Sequence, residues 1–199
     1  MKILIVGAGG TLGHAVVAEL GQRHEIVSAG RQSGDLRVDI ADPASVRALF
    51  EKTGPLDAIV CAAGSVHFGP LDTFTEEQFA RGINDKLMGQ VRLVREGVAH
   101  LRDGGSFTLI TGILTDQPIV QGVSASMVNG AVEAFVRAAA IELPRGIRIN
   151  AVSPTILTES MGSYGPYFRG FEPVPAARAA LAFSRSVEGA ETGRVYKIH

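Results

Sequence analysis

Tryptophan is missing from the 199 residues, and there is one cysteine, Cys61. A single thiol excludes an internal disulfide and any cysteine-rich metal site, so Cys61 reads as a small buried hydrophobe. Excess charge of either sign is lacking too: 19 basic side chains stand against 20 acidic ones, for a net charge of -1. With no basic patch or block of like charge, no nucleic-acid or anionic-membrane partner is expected, and a small molecule is the expected ligand. No stretch approaches the ~18 uninterrupted apolar residues of a membrane span, and Ile3-Leu4-Ile5-Val6 is too short for the apolar core of a signal peptide. A cytoplasmic protein is the expectation. His14, His24, His67, His100 and His199 lie singly, without metal-ligand spacing, and no metal is expected. What is present is 46% apolar residues and 24 glycines, in a length that suits one domain at roughly 150 residues each.

Short β-rich runs alternate with helical patterns from end to end, the order of parallel strands joined by crossover helices, so the fold class is α/β. The first strand, over 2–6, is continuously apolar, as befits a strand covered on both faces. It runs into Gly7-Ala8-Gly9-Gly10-Thr11-Leu12-Gly13 and a helix to about residue 23 with the buried stripe Leu12, Val16 and Leu20. Strands follow over 25–29 and, briefly, 36–39. Asp42-Pro43 opens a helix as N-cap and first-turn proline, with Val46, Leu49 and Phe50 as its apolar stripe. A strand over 57–62 precedes Thr75-Glu76-Glu77-Gln78, whose capping-box spacing starts a long helix. Leu87, Val91, Val94, Val98 and Leu101 form its seam, and Gly104-Gly105 stops it. Beyond a strand over 106–111, Ser124 caps a helix to residue 143 that is rich in alanine and glycine. A strand over 147–152, the turn Ser153-Pro154-Thr155, an aromatic loop with Tyr164, Tyr167, Phe168 and Phe171, a helix over 176–187 and a strand over 193–198 complete the chain.

A strand entering a glycine-rich turn and then a helix brings backbone N–H groups, here through Thr11 and Leu12, to a helix N-terminus that attracts a pyrophosphate. Gly7 suits the tight turn, Gly10 the close approach of backbone to phosphate, and Gly13 the packing of helix on sheet. Glycine can also serve such turns for purely structural reasons. His14 after the last glycine excludes a P-loop. Past the second strand, where NAD would call for a carboxylate on the ribose diol, stands Gly30-Arg31-Gln32-Ser33. Arg31, with Ser33 beside it, suits a 2′-phosphate, which points to NADP with NAD less favoured; the bland alternative is a solvated loop arginine. Asp39 can accept a hydrogen bond from the adenine amino group, or act as a helix-entry turn residue.

With these motifs in this order, the sequence resembles the short-chain dehydrogenase/reductase family across nearly its whole length. Val6-Gly7 through Gly13 is similar to that family's dinucleotide motif, Asp39-Ile40 to its adenine-side motif, and Cys61-Ala62-Ala63-Gly64 to its Asn-Asn-Ala-Gly segment beside the ribose. Asn150-Ala151-Val152-Ser153-Pro154 resembles its strand-to-Pro-Gly segment, with Thr155 replacing the glycine and Ile156 following. The resemblance implies a single Rossmann-type domain, doubly wound, with a mainly parallel sheet, helices on both faces and NADP(H) bound along these residues. It also implies an active-site tetrad, and there the chain departs. Ala125 stands at the tyrosine position, Asn129 at the lysine, and Gly112 at the serine with Thr111 beside it. Lys86 stands at the asparagine, with Asn84 as a rival register, and Glu159 replaces the threonine expected near the nicotinamide. A proton relay cannot run through an alanine.

Such a pattern resembles a divergent subgroup of the family without the usual Asn-Ser-Tyr-Lys residues. Lys86 near the cofactor can serve as an acid or hold a phosphate or carboxylate; it can equally be a solvated lysine beside the helix seam. Asn129 can still hydrogen-bond a ribose hydroxyl, and Thr111 supplies a hydroxyl. Two functions follow as expectations: an NADP-dependent oxidoreductase of unknown substrate with a non-standard proton donor, or a non-catalytic NADPH-binding or sensing protein. The 161–174 segment occupies the place of the family's substrate-covering loop. The helix seam and the small-residue helix lead to an expected homodimer or homotetramer built through paired helices.

Overall fold

The computed structural model describes residues 1–199. Seven strands form one all-parallel sheet: β1 (Lys2–Val6), β2 (Glu25–Gly30), β3 (Leu36–Arg37), β4 (Leu56–Cys61), β5 (Leu101–Ile110), β6 (Arg148–Pro154) and β7 (Val195–Ile198), in the order β3-β2-β1-β4-β5-β6-β7. The order reverses between β1 and β4, which places a crevice at their carboxyl ends, where ligands of open α/β sheets bind.

Side chains alternate across each strand, so the sheet feeds two cores. Leu4 and Val6 face a layer made with α2 (Pro43–Thr53), α4 (Met88–Gly97) and α5 (Val123–Glu142), through Phe50, Leu93 and Val132 among others. Ile3 and Ile5 face α1 (Thr11–Leu20) and α7 (Ala176–Glu188), through Val16, Leu20 and Phe183. Helices therefore cover both faces, and every β1 position from Ile3 to Val6 is buried. The expected local signals operate: the Asp42 carboxylate accepts from Ala44 N–H at 2.9 Å, and Thr75 and Gln78 close a reciprocal capping box at the start of α3 (Glu76–Gly82). No helix is long and apolar enough to cross a membrane.

The link from β2 to β3 is too short for a helix, and the two-residue β3 is held by side chains instead. Asp35 Oδ2 accepts from Ser28 N–H at 2.9 Å and from Ser28 Oγ at 2.7 Å, folding the loop back so that Ala29 and Gly30 pair with Leu36 and Arg37.

Three expectations are corrected. The long helix after Thr75 is not one regular helix: a π turn, Ile83–Leu87, separates α3 from α4, and the helical stretch ends at His100. The extra residue in that turn shifts the buried face to Gly89, Gln90, Leu93, Val94 and Gly97, so of the expected seam only Val94 is a fully buried helical position. Leu101 belongs to β5, where it pairs with Leu56, and Gly104-Gly105 lies within the strand's irregular start. Ser124 does not cap α5. Gly122 is the N-cap, and Ser124 lies fully buried inside the helix with no partner for its hydroxyl. Within the aromatic loop a short helix, α6 (Met161–Tyr164), forms.

Candidate active site

The groove over the carboxyl ends of the strands has two chambers that share Gly64 and Ser65. The first, of about 230 Å³, is lined by Gly7, Gly10, Arg31, Asp39, Ile40, Ala62, Ala63 and Gly64, with Asp85. The second, of about 410 Å³, is lined by Leu12, Lys86, Thr111, Gly112, Ala125, Asn129, Pro154, Thr155 and Ile156, with apolar and aromatic side chains around them. Of the site residues singled out in the sequence, Thr11, Gly13, Ser33, Asn84 and Glu159 line neither chamber, and the Glu159 carboxylate accepts from Ala176 N–H at 3.0 Å. Thr11 and Gly13 belong to the first turn of α1, and Ser33 is exposed beside Gly9.

The glycine turn is dictated by close packing. Gly7 has φ +87°, and a Cβ there would lie 2.8 Å from the Ala62 carbonyl carbon and the Ala63 Cβ. A Cβ on Gly13 would collide with the Gly7 carbonyl. Gly10 differs, because its nearest protein atom would be 3.5 Å away, an ordinary contact; glycine here keeps the chamber open rather than avoiding a clash. Gly10 caps α1 with no side-chain hydrogen bond, and the first turn carries no acidic residue, so its N–H groups are free to meet an anion.

Around the first chamber, Asp39 Oδ1 accepts from Ala41 N–H at 2.9 Å and Oδ2 has no partner. The turn role read from the sequence is thus observed at Oδ1, and Oδ2 is left without a protein partner. The Ile40 carbonyl accepts from Arg92 at 3.2 Å, leaving the Ile40 side chain to line the wall. Arg31 is exposed at the rim with no protein partner for its guanidinium, and no acidic residue directly follows β2.

Lys86 lies within the π turn, a distortion that tends to mark functional positions. Its Nζ donates to the Thr111 carbonyl at 3.3 Å. Its stem lies against Gly64, where φ is +137° and a Cβ would approach Lys86 Cγ to 2.6 Å. The neighbouring Asp85 locks this approach, accepting from Ser65 N–H at 2.9 Å and Ser65 Oγ at 3.0 Å. Burial in the cleft pulls the Lys86 ammonium down to about 8, partly countered by the neighbouring negative charge of Asp85. Asn84, the rival register, is exposed, and its carbonyl receives Arg92; Lys86 is the one that enters the cleft.

Ala125 and Asn129, one helical turn apart on α5, both line the second chamber, as does Gly112. The Thr111 hydroxyl turns away from it, within 3.2 Å of Glu133 Oε1 and 3.3 Å of the Val152 carbonyl, so Thr111 meets Lys86 through its backbone alone. Asn129 Oδ1 and Thr155 Oγ1 are buried without partners. Orphaned polar atoms in the wall of a polar groove imply a ligand or water that completes them. Together with the open helix N-terminus and the space kept by Gly10, they fit a dinucleotide lying across both chambers. No group of three His, Cys, Asp or Glu side chains gathers in a metal-binding cluster.

Sequence reading missed three contributors. Gln90 is fully buried; its amide accepts from Ile110 N–H at 2.8 Å and donates to the Ile110 and Lys86 carbonyls at 3.0 Å, tying α4 to the end of β5. Asp85 and Arg81 had no motif to announce them: Asp85 owes its place to the π turn, and Arg81 reaches the second chamber from the last turn of α3.

A family model described as Enoyl-(Acyl carrier protein) reductase matches residues 6–196. Versicolorin reductase stcU of Emericella nidulans is 31% identical, over 79% of this chain and 69% of that protein. Trihydroxynaphthalene reductase PfmaI of Pestalotiopsis fici is 30% identical, over 76% of this chain and 62% of that protein. The crystal structure of the protein lin1944 from Listeria innocua superposes with a TM-score of 0.99 at 54% identity over the whole of both chains. A small-chain dehydrogenase in complex with NADPH gives 0.89 at 24% identity, covering 100% of this chain and 96% of that one, a likeness of fold. From a family match over almost its full length, joined to the strand order and glycine turn described above, the chain belongs to the short-chain dehydrogenase/reductase family.

Proposed function

We propose that the protein is an NADP(H)-dependent oxidoreductase of a divergent subgroup, in which Lys86 replaces the missing tyrosine as proton donor. The observation that carries this reading is the position of Lys86, whose ammonium enters a cleft where Ala125 and Gly112 leave no other acid at the expected positions. When bound, the nicotinamide would supply or accept the hydride. The first turn of α1, from Gly10 through Thr11, Leu12 and Gly13, would hold the pyrophosphate. Asp39, Ile40, Ala62, Ala63 and Gly64 would enclose the adenosine, Arg31 and Ser33 would meet the 2′-phosphate, and Asn129 a ribose hydroxyl. Pro154, Thr155 and Ile156 would line the nicotinamide side. A carbonyl oxygen beside Lys86 would receive its proton, an acid suited to near-neutral conditions because burial has brought it down to about 8.

Calorimetric titration with NADPH and NADH tests the reading. NADPH is expected to bind at least about tenfold more tightly than NADH, and Arg31→Ala to abolish that preference, since one charge-assisted pair is worth roughly 1.5–3 kcal/mol. Binding of neither nucleotide would retire the reading. A second reading, a non-catalytic NADPH-binding or sensing protein, is favoured by Ala125 and Gly112 in the cleft wall. NADPH binding without turnover over a broad carbonyl panel would select it. A cytoplasmic location and assembly through paired helices belong to the same proposal.

A further inference from the structure

The second chamber is charged in one sense only. No aspartate or glutamate is among its lining residues, whereas two cations, Arg81 and Lys86, are. Neither has a salt-bridge partner: the carboxylate nearest Lys86 in sequence, Asp85, is engaged by Ser65, and Arg81 makes no side-chain hydrogen bond. In an unbroken α-helix two residues five apart would point about 140° away from each other. Lys86 lies inside the π turn that begins two residues after Arg81, and the wider winding of that turn brings Lys86 back toward the side of Arg81, so that both line one chamber. Beside a few uncharged polar groups, among them Asn129 and Thr155, most of the remaining lining is apolar and aromatic, with Val66, Phe68, Leu114, Tyr164 and Phe168.

An apolar cavity with a few convergent polar groups selects ligands by those groups. An unpaired guanidinium at the rim matches a carboxylate in a planar, bidentate way. We infer that the cleft takes an apolar, ring-bearing oxo acid, with its carboxylate on Arg81 and its carbonyl beside Lys86. This rests on the oxidoreductase reading for the carbonyl, while the carboxylate site stands on Arg81 and the absence of acidic lining.

The probes are 2-naphthoate and its uncharged amide, 2-naphthamide, titrated calorimetrically into the protein with and without saturating NADPH. The naphthoate is expected to bind at least about tenfold more tightly than the amide. Arg81→Gln should bring the two within about threefold, and Arg81→Lys should restore part of the difference, since it keeps the charge and loses the fork. Raising the salt concentration should narrow the gap, because Arg81 lies at an exposed rim. Equal affinities, binding of neither probe, or a naphthoate preference that survives Arg81→Gln would each overturn the inference. The two readings fail separately: NADPH binding with no carboxylate preference retires the anion site alone, and a carboxylate preference without NADPH binding retires the oxidoreductase reading alone.

Discussion

Placing an ammonium in the cleft works against folding. Lys86 has its proton affinity lowered by burial, from the ordinary lysine value of 10.5 to about 8. Between those two values the unfolded chain binds more protons at this residue than the folded one, so its contribution to stability rises with pH across that window. Below about pH 8 both states are charged, and the full penalty is present. Lys86→Met should therefore melt at a higher temperature than the parent at pH 7, with the advantage shrinking as the pH approaches 10.5, a trend that calorimetric scans at a series of pH values would read. The same substitution should lower kcat/KM for carbonyl reduction by about 10²–10⁴-fold. In the parent the reductive rate should fall above about pH 8, as the donor loses its proton. A substitution that stabilises the fold while removing turnover is the signature of a residue kept for chemistry. Cys61 is the contrast: fully buried, its thiol is pushed up to about 12, and it packs as the hydrophobe its setting implies.

At the level of elements, the helix that carries Lys86 is fixed by residues with no apolar signal. A Cβ on Gly97 would lie 2.6 Å from Ile59 Cδ1, 3.0 Å from Phe107 Cε1 and 3.1 Å from Phe50 Cζ. Gly89 is as close to Ile40. Gly97→Ala should therefore destabilise: overpacking costs about 1–3 kcal/mol, against roughly 1 kcal/mol recovered from helix propensity. The expected outcome is a lower urea midpoint with an unchanged m-value. These positions also explain what the sequence could and could not disclose. The β/α alternation, the Asp42 cap, the Thr75–Gln78 capping box and the glycine turn each rest on a local rule and could be read directly. The seam of α4 could not, because the π turn displaces its register and its buried face consists largely of glycine and glutamine. The grouping of the first chamber's lining was largely legible because most of its residues follow strands β1, β2, β3 and β4. Asp85 was not, since its placement depends on a helical distortion without a compositional signature, and the same distortion is what brings Lys86 to the side of Arg81. Thr111, read as the last residue of a strand, lies just past the end of β5, and rotamer choice, which sequence does not reveal, sends its hydroxyl to Glu133.

At the scale of the whole molecule, one apolar stripe has no partner within the chain. Met127, Ala131, Ala134, Ala138 and Ile141 recur four and three apart along the outer side of α5, with Met127 43% and Ile141 88% exposed. The inner side of the same helix is already committed to the core through Val128, Val132 and Val136. Spacing of four and three is the seam of paired helices, and the alanines at its centre permit close approach, while the larger ends fill the margins. A second copy presenting the same stripe around a twofold axis would satisfy both at once, in the isologous arrangement commonest among soluble oligomers. Light scattering at about 10 µM should return twice or four times the 20.9 kDa chain mass. Ala134→Glu, set in the middle of the stripe and exposed within one chain, should shift the mass toward the monomer while leaving the far-ultraviolet circular dichroism unchanged. A monomer in the parent protein would remove helix pairing from the account. Because Asn129 lies on the inner side of this helix and lines the cleft, a monomeric variant should also bind NADPH less tightly, as the paired arrangement no longer holds α5 against β5 and β6.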